Sequence, residues 1–221
     1  MFNAWFFLAA GLALLDWIST AREWKRVQFF AKAGTLAALI AWFTSVGGWR
    51  EGSIWFGLGL ALGLVGDVVL ELPARFFLVG LVAFLVGHIS YIAGFAHEGV
   101  SLRPESLLIA LVLAVAAGWV FARLLRAMDR KPENAPLQVP VRVYGGVIAL
   151  MVIFAWLTMV NPAWPIWAAV CFGAGAVLFL ASDTVLGYQQ FVRPQRYSGL
   201  FIMVTYHLAQ FLIAAGALLS L

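Results

Sequence analysis

Between residues 2 and 220 the chain runs through eight apolar stretches of 18 to 23 residues, separated by short connections. A helix rises about 1.5 Å per residue and the hydrocarbon core of a bilayer is about 30 Å thick, so each stretch is close to the length of one membrane crossing. In water such a chain would have too little polar surface to cover its apolar faces. Its residues are 64% hydrophobic and only 11% charged, against about 45–50% apolar residues in a soluble domain, and its mean hydropathy is +0.97. A membrane β-barrel would show ten-residue segments of alternating polarity, whereas these runs are continuous and rich in Gly, Ala and Leu. The expectation is an all-α polytopic membrane protein, a single eight-helix bundle with spans near 2–19, 28–46, 53–70, 76–96, 105–125, 140–160, 164–186 and 198–220.

The connections orient the bundle. Of the 14 basic residues, 11 (Arg22, Lys25, Arg26, Arg75, Arg123, Arg126, Arg130, Lys131, Arg142, Arg193 and Arg196) fall in or beside the connections after spans 1, 3, 5 and 7. Arg50 and Arg103 lie on the other side, and Lys32 lies within span 2. Positive charge favours the cytoplasmic side, which places both termini on the non-cytoplasmic side. The pI of about 9.6 is then a consequence of topology and calls for no nucleic-acid partner. Span 1 has no basic leader and carries its positive charge after the apolar run, so it is expected to be retained as a first helix. The lone Cys171 excludes an internal disulfide. Trp5, Trp24, Trp42, Trp49, Trp55, Trp164 and Trp167 fall near span ends and are expected to anchor at the lipid boundary. The stretch 126–139, charged and Pro-containing, is too short to form a domain and is read as a cytoplasmic loop between two four-helix halves.

Those halves carry related signals. Span 3 ends in "GDVVL" and span 7 in "SDTVL", and each leads through a hairpin into a span with a central histidine, His88 or His207. The two pairs cross in the same direction, which suggests a parallel repeat.

Ionisable groups inside a span cost about 2.5–3.5 kcal/mol each at its centre, so they tend to face the bundle interior and mark function. Asp16, Asp67 and Asp183 sit a few residues before the ends of inward-running spans, and Lys32 near the start of an outward-running one, so all four share a cytoplasmic-side layer. His88 and His207 lie a turn or two deeper, with Tyr91 three residues after His88, and Tyr206 and Gln210 beside His207. Together these residues outline a pocket opening toward the cytoplasm. Each has a plainer reading. Asp16 can cap a neighbouring helix, Lys32 can snorkel to the surface, and a single buried histidine is often a hydrogen-bonded packing residue. Glu71, one turn after Asp67, is expected at the solvated interface. Gly59 and Gly63 form a GxxxG that lets span 3 approach another helix closely.

The sequences "GDVVL", "FFLVGLVAFLVGHISYI", "GAVLFLASDTVLGYQQF" and "TYHLAQFLI", in this order across eight spans, resemble the YhhN family of membrane proteins, which includes the lysoplasmalogenases. The likeness also takes in "FAKAGTL", although it departs from the family in lacking a proline soon after Lys32. The resemblance implies hydrolysis of the vinyl ether bond of a lysoplasmalogen to a fatty aldehyde and glycerophosphoethanolamine or glycerophosphocholine, in a bacterial cytoplasmic membrane or its equivalent. Its partners would be the lysophospholipid, water and the surrounding lipids, with no cofactor or metal. Asp67 and Asp183 would be catalytic, with Lys32, His88, Tyr91, Ser182, Tyr206, His207 and Gln210 binding substrate.

That chemistry suits two carboxyl groups in one pocket. A vinyl ether resists nucleophiles but is labile to acid, because protonation of its outer carbon gives an oxocarbenium ion that water captures. One carboxyl can supply the proton while the other, kept ionised by a cation or hydrogen-bond donor, stabilises the positive charge, as in glycosidases. The sequence leaves open which aspartate plays which part. Two other readings stand beside this one: a zinc-dependent lipid hydrolase using His88, His207 and aspartates, and a proton-coupled transporter or lipid-binding protein. No G-x-S-x-G elbow supports a serine nucleophile.

Overall fold

The computed structural model describes residues 2–101, 103–193 and 195–221. Eight helices follow one another: α1 (Ala4–Ala21), α2 (Lys25–Ser45), α3 (Ile54–Leu70), α4 (Phe77–Ala96), α5 (Pro104–Asp129), α6 (Gln138–Leu157), α7 (Ile166–Phe191) and α8 (Ser198–Leu219). Among the described residues there is no strand. Among the described residues seven helices are long and apolar enough to cross a membrane. The eighth, α3, has 17 residues, about 26 Å at the usual rise, and short 3-10 turns flank it at Glu51–Ser53 and Ala74–Phe76.

The helices begin and end within a few residues of the expected spans, except where charge ended the apolar run before it ended the helix. α5 continues to Asp129 and α7 to Phe191, because Arg, Met and Gln are good helix formers whatever their polarity. The stretch 126–139 is therefore mostly ordered structure and not an open loop: the end of α5, then a 3-10 turn over Pro132–Leu137. That turn closes α7. Asn134 Nδ2 donates to the Phe191 carbonyl at 3.1 Å and Lys131 Nζ to that of Val192 at 2.7 Å, satisfying carbonyls that a helix end leaves without partners.

Successive helices pack as hairpins, α1 on α2, α3 on α4, α5 on α6 and α7 on α8. α8 touches α1, α2 and α3 as well as α7 and is the most enclosed of the seven. Small residues make that possible: Ala209, Ala214, Gly216 and Ala217 of α8 are buried, as are Ala168, Ala169 and Ala176 of α7, letting backbones approach where lipid supplies no hydrophobic drive. α5 lies at the periphery, with Leu107, Leu108, Leu111, Val112 and Val115 exposed.

The end of the bundle where α2 and α4 finish and α3 and α7 begin holds an aromatic core. Trp42, Phe43, Phe56, Phe95, Trp164 and Phe172 are buried there, and the Phe56 and Phe172 rings stack with centroids 5.0 Å apart and planes within 5°. Trp42 and Trp164 thus belong to the core, contrary to the expectation that they anchor at the lipid boundary. Trp42 stands on the inward face of α2, and Trp164, in the connection before α7, sets its ring edge-on to that of Phe172. Trp5, Trp24, Trp49, Trp55 and Trp167 are exposed as expected.

Candidate active site

The opposite end of the bundle, where α1, α3, α5 and α7 finish, opens into a cavity of about 870 Å³. All eight helices contribute to its wall. Its lining combines polar side chains, Lys32, Asp67, Glu71, Tyr144, Asp183 and Tyr206, with an apolar arm in which Phe77, Phe121, Leu124 and Val141 pack in one cluster.

Asp67 occupies the buried face of α3, in register with Phe56, Leu60 and Gly63. Its side chain is 1% exposed, and Lys32 Nζ approaches Oδ1 at 3.3 Å. Tyr206 donates its hydroxyl to Oδ2 at 2.7 Å, so both carboxylate oxygens are engaged. Behind Tyr206 the network continues inward: Gln210 Nε2 donates to the Tyr206 oxygen at 3.3 Å and Tyr91 donates to Gln210 Oε1 at 2.5 Å. α3 has room for these side chains because of the two glycines of its GxxxG. A Cβ on Gly59 would overlap the Tyr91 ring, and one on Gly63 would lie 2.9 Å from Gln210 Nε2. The expected close approach of span 3 is seen with α4, where a Cβ on Gly87 would lie 3.4 Å from the Gly59 carbonyl oxygen, and side chains from α4 and α8 fill the rest of this bare strip of α3.

Lys32 does not snorkel. Its ammonium lies between Asp67 and Glu71, 3.5 Å from Glu71 Oε1, with the side chain 7% exposed. Glu71, expected at the solvated interface, is exposed there, with its side chain 38% accessible, and still reaches Lys32 as the second anion of this cluster, because α3 ends at Leu70 and sets it on the cavity wall.

Asp183 forms the second centre. Tyr144 donates its hydroxyl to Asp183 Oδ2, and His88 Nε2 lies 2.9 Å from the Tyr144 oxygen and 3.4 Å from Asp183 Oδ2. Tyr144 and Asp183 line the cavity, whereas His88 is packed behind them against the Phe179 ring. Tyr144 was not singled out from the sequence. It stands a turn and a half into α6, where an aromatic residue reads as an interface anchor, and only the rotational phase of α6 turns it inward.

Ser182 lines the cavity, with its hydroxyl donating to the Ile202 carbonyl at 3.2 Å. Tyr91 and Gln210 lie one shell behind the wall. His207, expected to bind substrate, does not line the cavity. Consecutive residues on a helix diverge by about 100°, so with Tyr206 facing Asp67, His207 faces α1, accepting from Trp17 Nε1 at 3.2 Å and lying 3.9 Å from Asp16 Oδ2. The two histidines thus belong to separate clusters. Among the described residues no three His, Cys, Asp or Glu side chains converge as a metal site would need.

The sequence pattern of the YhhN family matches residues 27–217, nearly the whole bundle and both aspartate centres. The chain belongs to the YhhN family. Among its relatives, lysoplasmalogenase TMEM86A of Bos taurus is 31% identical over 74% of this chain. The chain spans 65% of the length of that relative. Lysoplasmalogenase TMEM86B of Mus musculus is 31% identical over 96% of this chain and 84% of its own length, and lysoplasmalogenase of Mycobacterium tuberculosis is 31% identical over 89% and 72% respectively. No solved structure is a significant match. The YhhN chain is accordingly a helical membrane protein whose carboxyl-lined cavity lies wholly within the family region, apart from the α1 and Lys25 part of its rim.

Proposed function

We propose that this YhhN protein hydrolyses the vinyl ether bond of lysoplasmalogens, releasing a fatty aldehyde and a glycerophosphoethanolamine or glycerophosphocholine. The observation that carries the reading is that Asp67 and Asp183 line one cavity with polar side chains and an apolar arm, a combination that suits a single-chain amphiphile. The names of the relatives point the same way.

Asp183 is the acid and Asp67 the carboxylate in this proposal. Both oxygens of Asp67 are held by donors, Lys32 and Tyr206, which suits a fixed anion. Among the described residues Asp183 has partners for Oδ2 only, leaving Oδ1 to present a proton to the substrate. Transfer of that proton to the outer vinyl carbon breaks the double bond and leaves an oxocarbenium ion, which Asp67 stabilises. Water adds to the cationic carbon, its surplus proton returning to the carboxylate pair. The resulting hemiacetal collapses to the aldehyde and the free glycerol hydroxyl. Tyr144 and His88 hold Asp183 in position, while Tyr206, backed by Gln210 and Tyr91, holds Asp67. The alkenyl chain lies along the apolar arm beside α5.

The topology belongs to the same proposal: both termini on the non-cytoplasmic side of a bacterial inner membrane or its equivalent, and the cavity open to the cytoplasm. So does common descent of the two halves. In its support, Tyr206 of the α7–α8 hairpin serves Asp67 of the α3–α4 hairpin, and His88 of α4 reciprocates toward Asp183 of α7.

The test is aldehyde release from lysoplasmenylethanolamine and lysoplasmenylcholine by purified protein in detergent, with and without chelator, beside Asp67→Asn and Asp183→Asn. Chelator-resistant release that vanishes in both folded variants is expected. Release that persists in either variant would overturn the mechanism, and no release by the folded wild type would overturn the function.

A further inference from the structure

Lys32 is the basic residue nearest the reaction centre, yet it is poorly placed to hold a lipid phosphate. Its ammonium already faces two carboxylates, at 3.3 and 3.5 Å, with the side chain 7% exposed. A phosphate there would set three anionic groups around one cation in a medium where like charges repel strongly. The phosphate of an amphiphile in this cavity needs other cations.

The rim of the cavity has them. Lys25, the first residue of α2, and Arg196, in the connection between α7 and α8, both line it and are both exposed. They come from opposite ends of the sequence and meet at one opening because α8 packs against α1 and α2. The Arg196 guanidinium lies 5.2 Å from the centre of the Tyr197 ring, a cation–π contact that restrains it. Glu23 also lines the rim, from the turn between α1 and α2. It does so with φ at +58°, a conformation few non-glycine residues adopt, and that turn brings a carboxylate to the same opening as the two cations. The rim therefore presents two positive groups and one negative group within reach of a ligand whose tail enters the apolar arm.

We infer that Lys25, Arg196 and Glu23 form a subsite for a zwitterionic phosphodiester headgroup, Lys25 and Arg196 holding the phosphate and Glu23 the amine. This inference rests on the reading of the cavity as a lysophospholipid site and names the residues that choose the headgroup. Arginine suits the phosphate because its planar donors match two phosphate oxygens at once, with lysine adding a point charge. The arrangement favours an ethanolamine or choline phosphodiester over an uncharged glycerol ether, and over a lysolipid that has phosphate but no amine.

The experiment measures equilibrium binding of hexadecyl-ether probes that have no vinyl ether to cleave: the lysophosphoethanolamine, the lysophosphate without amine, and the bare alkylglycerol. Wild type should prefer the lysophosphoethanolamine to the alkylglycerol by tenfold or more, and Lys25→Ala/Arg196→Ala should lose that preference. Glu23→Gln should retain preference for phosphate but no longer distinguish the ethanolamine probe from the lysophosphate. Arg26→Ala removes the same charge from the adjacent position, which does not line the cavity, and should bind as wild type. A double variant that keeps the headgroup preference, or an Arg26 variant that loses as much, would overturn the subsite. The probes report binding whether or not the protein cleaves vinyl ethers. Headgroup preference without aldehyde release would refute the activity and leave the subsite standing, and aldehyde release without headgroup preference would do the reverse.

Discussion

Replacing Lys32 with methionine removes the only cation that contacts Asp67 among the described residues while keeping most of the side chain's volume. Asp67 is 1% exposed, so in the variant its carboxylate keeps the Tyr206 hydroxyl but loses its counter-charge and faces Glu71 across the vacated position. Removing one partner of a buried ion pair costs about 3–5 kcal/mol, because an uncompensated charge is left behind. Replacing both members by neutral groups costs far less. Lys32→Met should therefore destabilise the protein by about 3–5 kcal/mol, a factor of roughly 10² to 10³ or more in the folded-to-unfolded ratio. Asp67→Asn should cost less, since Lys32 retains Glu71 at 3.5 Å and the asparagine oxygen can still accept from Tyr206. The double variant should recover at least about 2 kcal/mol relative to Lys32→Met, the coupling expected of residues in direct contact. Reversible unfolding in mixed detergent–SDS micelles, followed through the ten tryptophans, reads all four corners of this cycle. A double variant no more stable than Lys32→Met would show that Lys32 does not neutralise Asp67, and the assignment of Asp67 as the fixed carboxylate would fail with it.

Three other outcomes follow from the same geometry. Tyr144→Phe removes the hydroxyl that holds the protonated Asp183, and a hydrogen bond between neutral groups contributes about 0.5–1.5 kcal/mol; kcat for aldehyde release should fall about 2- to 10-fold with KM little changed, and an unaltered kcat would remove Tyr144 from the site. His88→Gln should lower turnover per folded molecule while His207→Gln leaves it near wild type, because only His88 contacts Tyr144 and Asp183; equal losses in activity assays of the two would contradict the separation of their clusters. In D2O the aldehyde, trapped by reduction as it forms, should carry one deuterium on the carbon next to the former carbonyl, as protonation of the outer vinyl carbon requires, and mass spectrometry showing none would exclude that step.

The parts of this molecule that the sequence discloses are those governed by the membrane as solvent. Eight continuous apolar runs mark eight helices, since a spanning segment that does not alternate in polarity as a barrel strand would can satisfy its backbone only as a helix. Lys32, Asp67 and Asp183 stand out because a charge in hydrocarbon is costly wherever it points. What stays hidden is rotational phase. A shift of one residue turns a side chain by about 100°, which separates Tyr206, on Asp67, from His207, on Trp17. Tyr144 went unnoticed and Trp42 was misjudged for the same reason: near a span end an aromatic residue suits the lipid boundary and the bundle interior equally well, and the neighbouring helix decides; Trp164, in the connection before α7, is turned inward by its packing on Phe172. Glu71 is solvated as its place at the end of span 3 suggests, but the sequence does not show that the end of α3 brings this carboxylate onto Lys32 at the cavity wall.

The same phase relations tie the two halves of the bundle together at the site. Tyr91 stands three residues after His88, and Gln210 three after His207, and these two side chains bond to each other at 2.5 Å. Outward from that contact, α8 supplies the donor for the aspartate of α3 and α4 supplies a partner for the aspartate of α7. Neither hairpin holds its own aspartate through these contacts; each is completed by the other. Such crossed dependence makes the relative placement of the two carboxyl groups a property of the α3–α4 and α7–α8 interface. A substitution at Gly63, where any side chain would press on Gln210 at 2.9 Å, should therefore impair both centres although it touches neither carboxyl group.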